Sequence, residues 1–124
     1  MATSPEYVDW IVDQLSDFAA VTTKRLFGGR AVLKDNLNFG LIFEDELYLK
    51  ADAVNRDKFE QAGGEQFTYQ KADNTIFVSF WTVPEGIIED KEELAAWAND
   101  AFDAALRAKK PKSKRNKNTK LSAD

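Results

Sequence analysis

Residues 24–50 read KRLFGGRAVLKDNLNFGLIFEDELYLK, and this stretch decides the fold. Apolar residues at 30–34 and 37–43 mark two strands joined at Asp35-Asn36, two residue types that tolerate the positive φ of a tight hairpin turn. Glu44-Asp45-Glu46 makes the next turn and 47–50 the next strand. Period-two alternation puts Leu47 and Leu49 on one face, Tyr48 and Lys50 on the other. Ahead of these, Gly28-Gly29 supplies the backbone freedom of a turn or bulge. A glycine pair beside Lys24-Arg25 also suggests a phosphate-binding loop, but neither GxxxxGK[ST] nor GxGxxG is present.

Working outward, residues 4–19 predict a helix. Ser4 suits its N-cap, Pro5 its first position and Glu6 its first turn. Val8, Ile11, Val12, Leu15, Phe18 and Ala19 form one apolar stripe, with Trp10 packing at its edge. Asp9, Asp13 and Asp17 share a solvated face. Thr22 through Phe27 read as extended. A second helix is expected at 52–62, capped by Asp52, offering Val54, Lys58, Phe59 and Ala62 for packing and stopped by Gly63-Gly64. Strands at 66–70 and 75–81 flank a turn at Asp73-Asn74. The second is apolar on both faces, which predicts a central strand or a face covered by a partner. After Pro84 comes a short turn or helix at 85–89, then a helix at 90–108 with the stripe Leu94, Trp97, Ala98, Ala101, Phe102, Ala105 and Leu106. Core packing is the expectation for Phe27, Phe39, Phe43, Phe77, Phe80, Trp81 and Trp97. The predicted fold class is α+β: an antiparallel sheet with N-terminal, middle and C-terminal helices packed on it. Residues 1–108 form that domain, and 109–124 a basic, disordered tail.

Composition narrows the chemistry. A chain of 124 residues with 44% apolar content fits one domain with one core. Having no Cys, it makes no disulfide and no thiolate; having no His, it lacks the commonest general base and metal ligand. The expectation is therefore no catalytic residue, no cofactor and no metal. Glu44-Asp45-Glu46 also lacks the spaced pattern of a calcium loop. No apolar run approaches the roughly 20 residues of a membrane span, and the N-terminus carries no secretory pattern, so a cytoplasmic location is expected. The net charge of −4 conceals an asymmetry: residues 1–106 hold 9 basic and 20 acidic side chains, whereas 107–120 hold 8 basic ones and no acid.

The order Lys24-Arg25-Leu26-Phe27-Gly28-Gly29, Phe39-Gly40-Leu41-Ile42, Leu47-Tyr48-Leu49-Lys50-Ala51-Asp52, Phe67-Thr68-Tyr69, Ser79-Phe80-Trp81 and Pro84-Glu85 resembles the N-terminal domain of the TfoX/Sxy family. The resemblance spans about residues 10–106. It implies a small α+β domain with an antiparallel sheet, and a regulator of natural competence acting at promoters with the cyclic-AMP receptor protein rather than an enzyme. The best-known members carry a helical C-terminal domain where this chain has its Lys-rich tail.

Three functions are carried forward. One is a non-enzymatic regulatory or adaptor domain contacting a protein partner, such as a transcription regulator or an RNA polymerase component. Its contact residues are expected among Lys24, Arg25, Arg30, Tyr48 and Lys50, the basic or aromatic exceptions on an acidic body. The same residues could instead pair internally, Lys50 with Asp52 or Glu46 and Arg25 with an aspartate of the first helix. The second is sequence-independent DNA or RNA binding through Lys109, Lys110, Lys112, Lys114, Arg115, Lys117 and Lys120, salt-sensitive and without stacking aromatics. The third is a small enzyme using carboxylates, for which Tyr48, Lys50 and Asp52 are the best cluster by residue type. Nothing in the sequence fixes the oligomeric state.

Overall fold

The computed structural model describes residues 3–109. In chain order the elements are α1 (Pro5–Gln14) with a 3-10 turn (Leu15–Asp17), β1 (Thr22–Leu26), β2 (Gly29–Lys34), β3 (Leu37–Phe43) and β4 (Glu46–Lys50). There follow α2 (Arg56–Gln61), β5 (Gln66–Lys71), β6 (Asn74–Thr82), α3 (Glu85–Ile88) and α4 (Lys91–Lys109). Six antiparallel strands form one sheet in the order β1-β2-β3-β4-β6-β5, and the fold is α+β as expected.

The opening stretch builds a run of hairpins, each closed by two residues at positive φ. Phe27 and Gly28 (φ 56 and 82) join β1 to β2, Asp35 and Asn36 (53 and 64) join β2 to β3, and Glu44 and Asp45 (50 and 58) join β3 to β4. This mirror-image turn matches the right-handed twist of the strands it connects. Gly29 is already in β2, and its backbone lies against Ile42 of β3.

The register separates two faces. Arg25, Arg30, Ile42 and Leu47 follow one another across β1 to β4 on the helix-covered face. Lys24, Ala31, Leu41 and Tyr48 do so on the opposite face. Strict alternation would put Phe39 with Leu41. Instead the pairing shifts, with Val32 opposite Gly40 and Leu33 opposite Asn38, so Phe39 is an extra residue in β3. The bulge turns its ring into the helix layer, fully buried, with centroids 5.4 Å from Phe18 and 6.0 Å from Phe102.

Ile11, Leu15, Ile42, Leu47, Leu49, Phe59, Leu94, Ala98 and Ala101 form the main core between the sheet and α1, α2 and α4. Ser4 caps α1 by accepting from the Tyr7 N–H, and Asp90 Oδ1 accepts from the N–H groups of Glu92 and Glu93 at the start of α4. A second cluster fills the other face: Leu41, Phe67 and Phe80, flanked by Leu26, Phe43, Tyr48, Tyr69 and Val78. Phe27, in the first hairpin turn, reaches Phe67 (5.7 Å) and Tyr69 (4.7 Å) on β5, although β1 and β5 are the two ends of the sheet. The sheet therefore curls around this aromatic cluster.

Several expectations need correction. The middle helix covers only Arg56–Gln61, and Asp52 does not cap it. The Asn55 side chain instead ties down the preceding turn: its oxygen accepts from the Asp52 N–H (2.7 Å) and its amide donates to the Lys50 carbonyl (3.1 Å). Val54, outside the shortened helix, is 71% exposed. Trp10 is 39% exposed, because its position falls beside Tyr7 on the flank of α1 rather than over the sheet. The last hairpin turns at Ala72-Asp73, with Asn74 already paired to Lys71. Glu46 is the first residue of β4 rather than part of its turn. β6 is an interior strand between β4 and β5, yet its Phe77 is 67% exposed. Among the described residues no helix is long and apolar enough to cross a membrane.

Candidate functional site

The five expected contact residues do not make one patch. Lys24, Tyr48 and Lys50 belong to the face holding the aromatic cluster, and Arg25 and Arg30 to the helix-covered face, because neighbouring strand residues point oppositely. Tyr48 is half-buried. Its ring meets Phe67 edge-on at 5.2 Å, and burial followed by Glu46, Glu44 and Glu65 pushes its hydroxyl pKa up. Lys50 lies over the Phe80 ring, 5.6 Å from its centroid.

Arg25 and Arg30 are direct cross-strand partners at the edge of the sheet. Arg30 is half-buried and donates to Thr23 Oγ1 at 3.0 Å. Two shallow grooves meet at it. One of about 450 Å³ is lined by Thr3, Arg25, Leu26, Phe27 and Gly28, the other of about 370 Å³ by Thr3, Pro5, Val8, Asp9 and Thr23. Among the described residues no carboxylate pairs with Lys24, Arg25 or Arg30. Two arginines thus stand opposite each other across β1 and β2, neither paired with a carboxylate of the described residues, on a body where acids outnumber bases two to one.

Elsewhere several charges pair internally. Asp52 takes Arg107 in a two-point pair, Nε to Oδ2 at 2.7 Å and Nη2 to Oδ1 at 2.9 Å. That hydrogen bond, opposed by partial burial and helped by the Val54 N–H, holds the Asp52 carboxyl below its usual value. Lys58 pairs with Asp100 and covers the Trp97 ring. Lys58, Asp100 and Arg107 line a polar cleft of about 410 Å³ between α2 and α4. Tyr48, Lys50 and Asp52 therefore have three separate sets of partners.

Near the opposite end of β4, Glu44, Asp45, Glu46 and Glu85 surround Tyr7, whose pKa is pushed up to about 12 by burial, then by Glu46, Asp45 and Glu85. Glu46 is itself raised by burial and by Glu65. Among the described residues no group of three or more acidic side chains is placed to hold a metal ion. Lys109 is the last residue of α4; Lys110, Lys112, Lys114, Arg115, Lys117 and Lys120 lie outside the described residues.

Sequence reasoning picked out Arg25 and Arg30 by charge alone. What it missed is their pairing on one face, which the two-residue turn at Phe27-Gly28 dictates. It also missed the Asp52–Arg107 pair, which joins residues 55 apart.

The chain is 22% identical over 105 residues to Protein Sxy of Escherichia coli (strain K12), an alignment covering 85% of this chain and 50% of that protein. It spans about half the length of the curated relative it matches. The family model for the TfoX N-terminal domain matches residues 13–105, from the last two residues of α1 through most of α4. With that match across the whole sheet, α2, α3 and most of α4, the chain belongs to the TfoX N-terminal domain family.

Proposed function

We propose that this chain is a non-enzymatic regulatory domain that works through protein contacts in transcription control, in the setting of natural competence. Family membership and the likeness to Protein Sxy support the regulatory part. The observation that carries the contact reading is the un-neutralised Arg25–Arg30 pair on an acidic body, beside an aromatic-filled face. The lack of His and Cys fits a domain that touches macromolecules rather than transforming small ones. Its place of action is the cytoplasm, and its partner a transcription regulator or an RNA polymerase component. The organisation is one α+β domain through Ala108 and a basic tail at 109–124.

Cross-linking in cells that express the chain, followed by partner identification, tests this reading. A transcription component recovered in excess over a surface-matched acidic control supports it. Recovery of none, or metabolite turnover abolished by replacing one carboxylate, refutes it.

The charge of residues 107–120 favours a second reading, in which the tail holds DNA or RNA non-specifically. Eight basic residues imply steep salt dependence. Truncation after Ala108 then removes retention on DNA at low salt; unchanged retention eliminates the idea.

A further inference from the structure

Among the described residues the outer edge of β1 has no strand partner. β1 ends the sheet, and among the described residues no backbone hydrogen bond reaches its outer side. In a hairpin closed by a two-residue loop, Leu26 and Gly29 form the hydrogen-bonded closing pair. Main-chain bonding then points towards β2 at Thr22, Lys24 and Leu26, and outward at Thr23 and Arg25. Arg25 thus presents its peptide group and its guanidinium together, and Arg30 on the next strand stands opposite it, fixed by its bond to Thr23 Oγ1.

We infer that β1 takes up an extended acidic peptide segment of a partner protein as an added strand. This rests on the reading of the domain as a protein-contact module. The peptide backbone bonds to Thr23 and Arg25. A carboxylate opposite Arg25 lies within reach of both guanidinium groups, and the next residue, on the other face, meets Lys24. The segment therefore carries two adjacent acidic residues, followed or preceded by an apolar one opposite Leu26, which is half-buried at the rim of the aromatic cluster. Charge decides the occupant. A second copy of β1 pairing antiparallel through Thr23 and Arg25 would set Lys24 against Lys24, an unfavourable like-charge pair. Nucleic acid offers no backbone N–H and C=O ladder to pair with Thr23 and Arg25.

The test is selection of a phage-displayed random heptapeptide library on the immobilised full chain at low salt. Enriched peptides are then synthesised and titrated while backbone amide shifts are followed. The expected winners carry adjacent acidic residues, shift the amides of β1, and bind Arg25→Ser and Arg30→Ser variants about tenfold more weakly or worse. Thr23→Pro, which removes an outward N–H, weakens binding far more than Thr23→Val, which keeps that N–H and loses only the hydroxyl that holds Arg30. Unfolding curves of each variant confirm that the sheet is intact. Absence of enrichment, winners without acidic bias, or equal binding to a variant lacking both arginines overturns the inference; the last outcome marks capture by the basic tail. If cross-linking still recovers a transcription component, only the β1 edge has failed and the regulatory reading stands.

Discussion

Gly28 and Gly29 are adjacent, but replacing each by alanine should have effects of different size and cause. Gly28 has φ +82 and open space around it: the nearest atom to an added methyl is Phe43 Cε1 at 3.9 Å. Gly28→Ala therefore costs only left-handed backbone strain of about 1–2 kcal/mol, partly offset by about 0.4–1 kcal/mol from a stiffer unfolded chain. The net loss is about 1 kcal/mol. At Gly29 no positive φ is involved. A methyl there would overlap the Ile42 carbonyl oxygen and stand 3.2 Å from both the Ile42 carbonyl carbon and Phe43 Cα. All three are backbone atoms of a paired strand, so relief requires β3 to move away from β2. Overpacking costs about 1–3 kcal/mol, and each disturbed ladder bond adds about 1 kcal/mol. Gly29→Ala should therefore lose about 3 kcal/mol or more, a large part of the roughly 5–15 kcal/mol of a typical domain. Urea unfolding followed by tryptophan fluorescence measures both variants. A Gly29→Ala midpoint equal to that of Gly28→Ala would refute the close approach of β2 and β3. It would also undermine the cross-strand placement of Arg25 and Arg30, which hangs on that hairpin.

Phe39→Ala should lose about 3–5 kcal/mol, because its ring is fully buried against Phe18 and Phe102, while Phe77→Ala should stay within about 0.5 kcal/mol; comparable losses in urea unfolding would contradict the bulge. The lowered Asp52 pKa means that its pairing with Arg107 contributes stability above the ordinary carboxyl value of 3.8, lost as pH falls through the lower folded-state value. Both side chains are partly exposed, so Arg107→Gln should cost about 1 kcal/mol or less near neutral pH and nothing in strong acid, as read from unfolding midpoints across pH. Glu46 has the opposite sign. Its raised pKa favours the fold below the ordinary value of 4.5 and is lost as pH rises through the folded-state value, so Glu46→Gln should stabilise the protein near neutral pH and not in acid. A thermal midpoint that falls at neutral pH in that variant would show that Glu46 is held by a favourable partner.

Local signals in the chain were enough for the fold class. Period-two runs, the Asp35-Asn36 turn, Ser4 and Pro5 at the start of α1 and the apolar stripe of α4 each act within a few residues, and each is found where the sequence predicts. The missing His and Cys likewise narrow the chemistry without any coordinates. Distant parts of the chain decided the rest. Alternation puts Phe39 on the wrong face, because the bulge is set by how β3 pairs with β2 beneath Phe18 and Phe102. Asp52 reads as a helix cap until α4 brings Arg107 to it. Tyr48 reads as a partner-contact residue until the sheet curls and sets Phe67 on its ring. Lys24, Arg25 and Arg30 are close in sequence, but the pleat sends Lys24 to one face and the two arginines to the other. A sequence pattern specifies which residues alternate; which neighbour each face meets depends on burial and charge pairing across the whole sheet, and those contacts exist only once the chain has closed on itself.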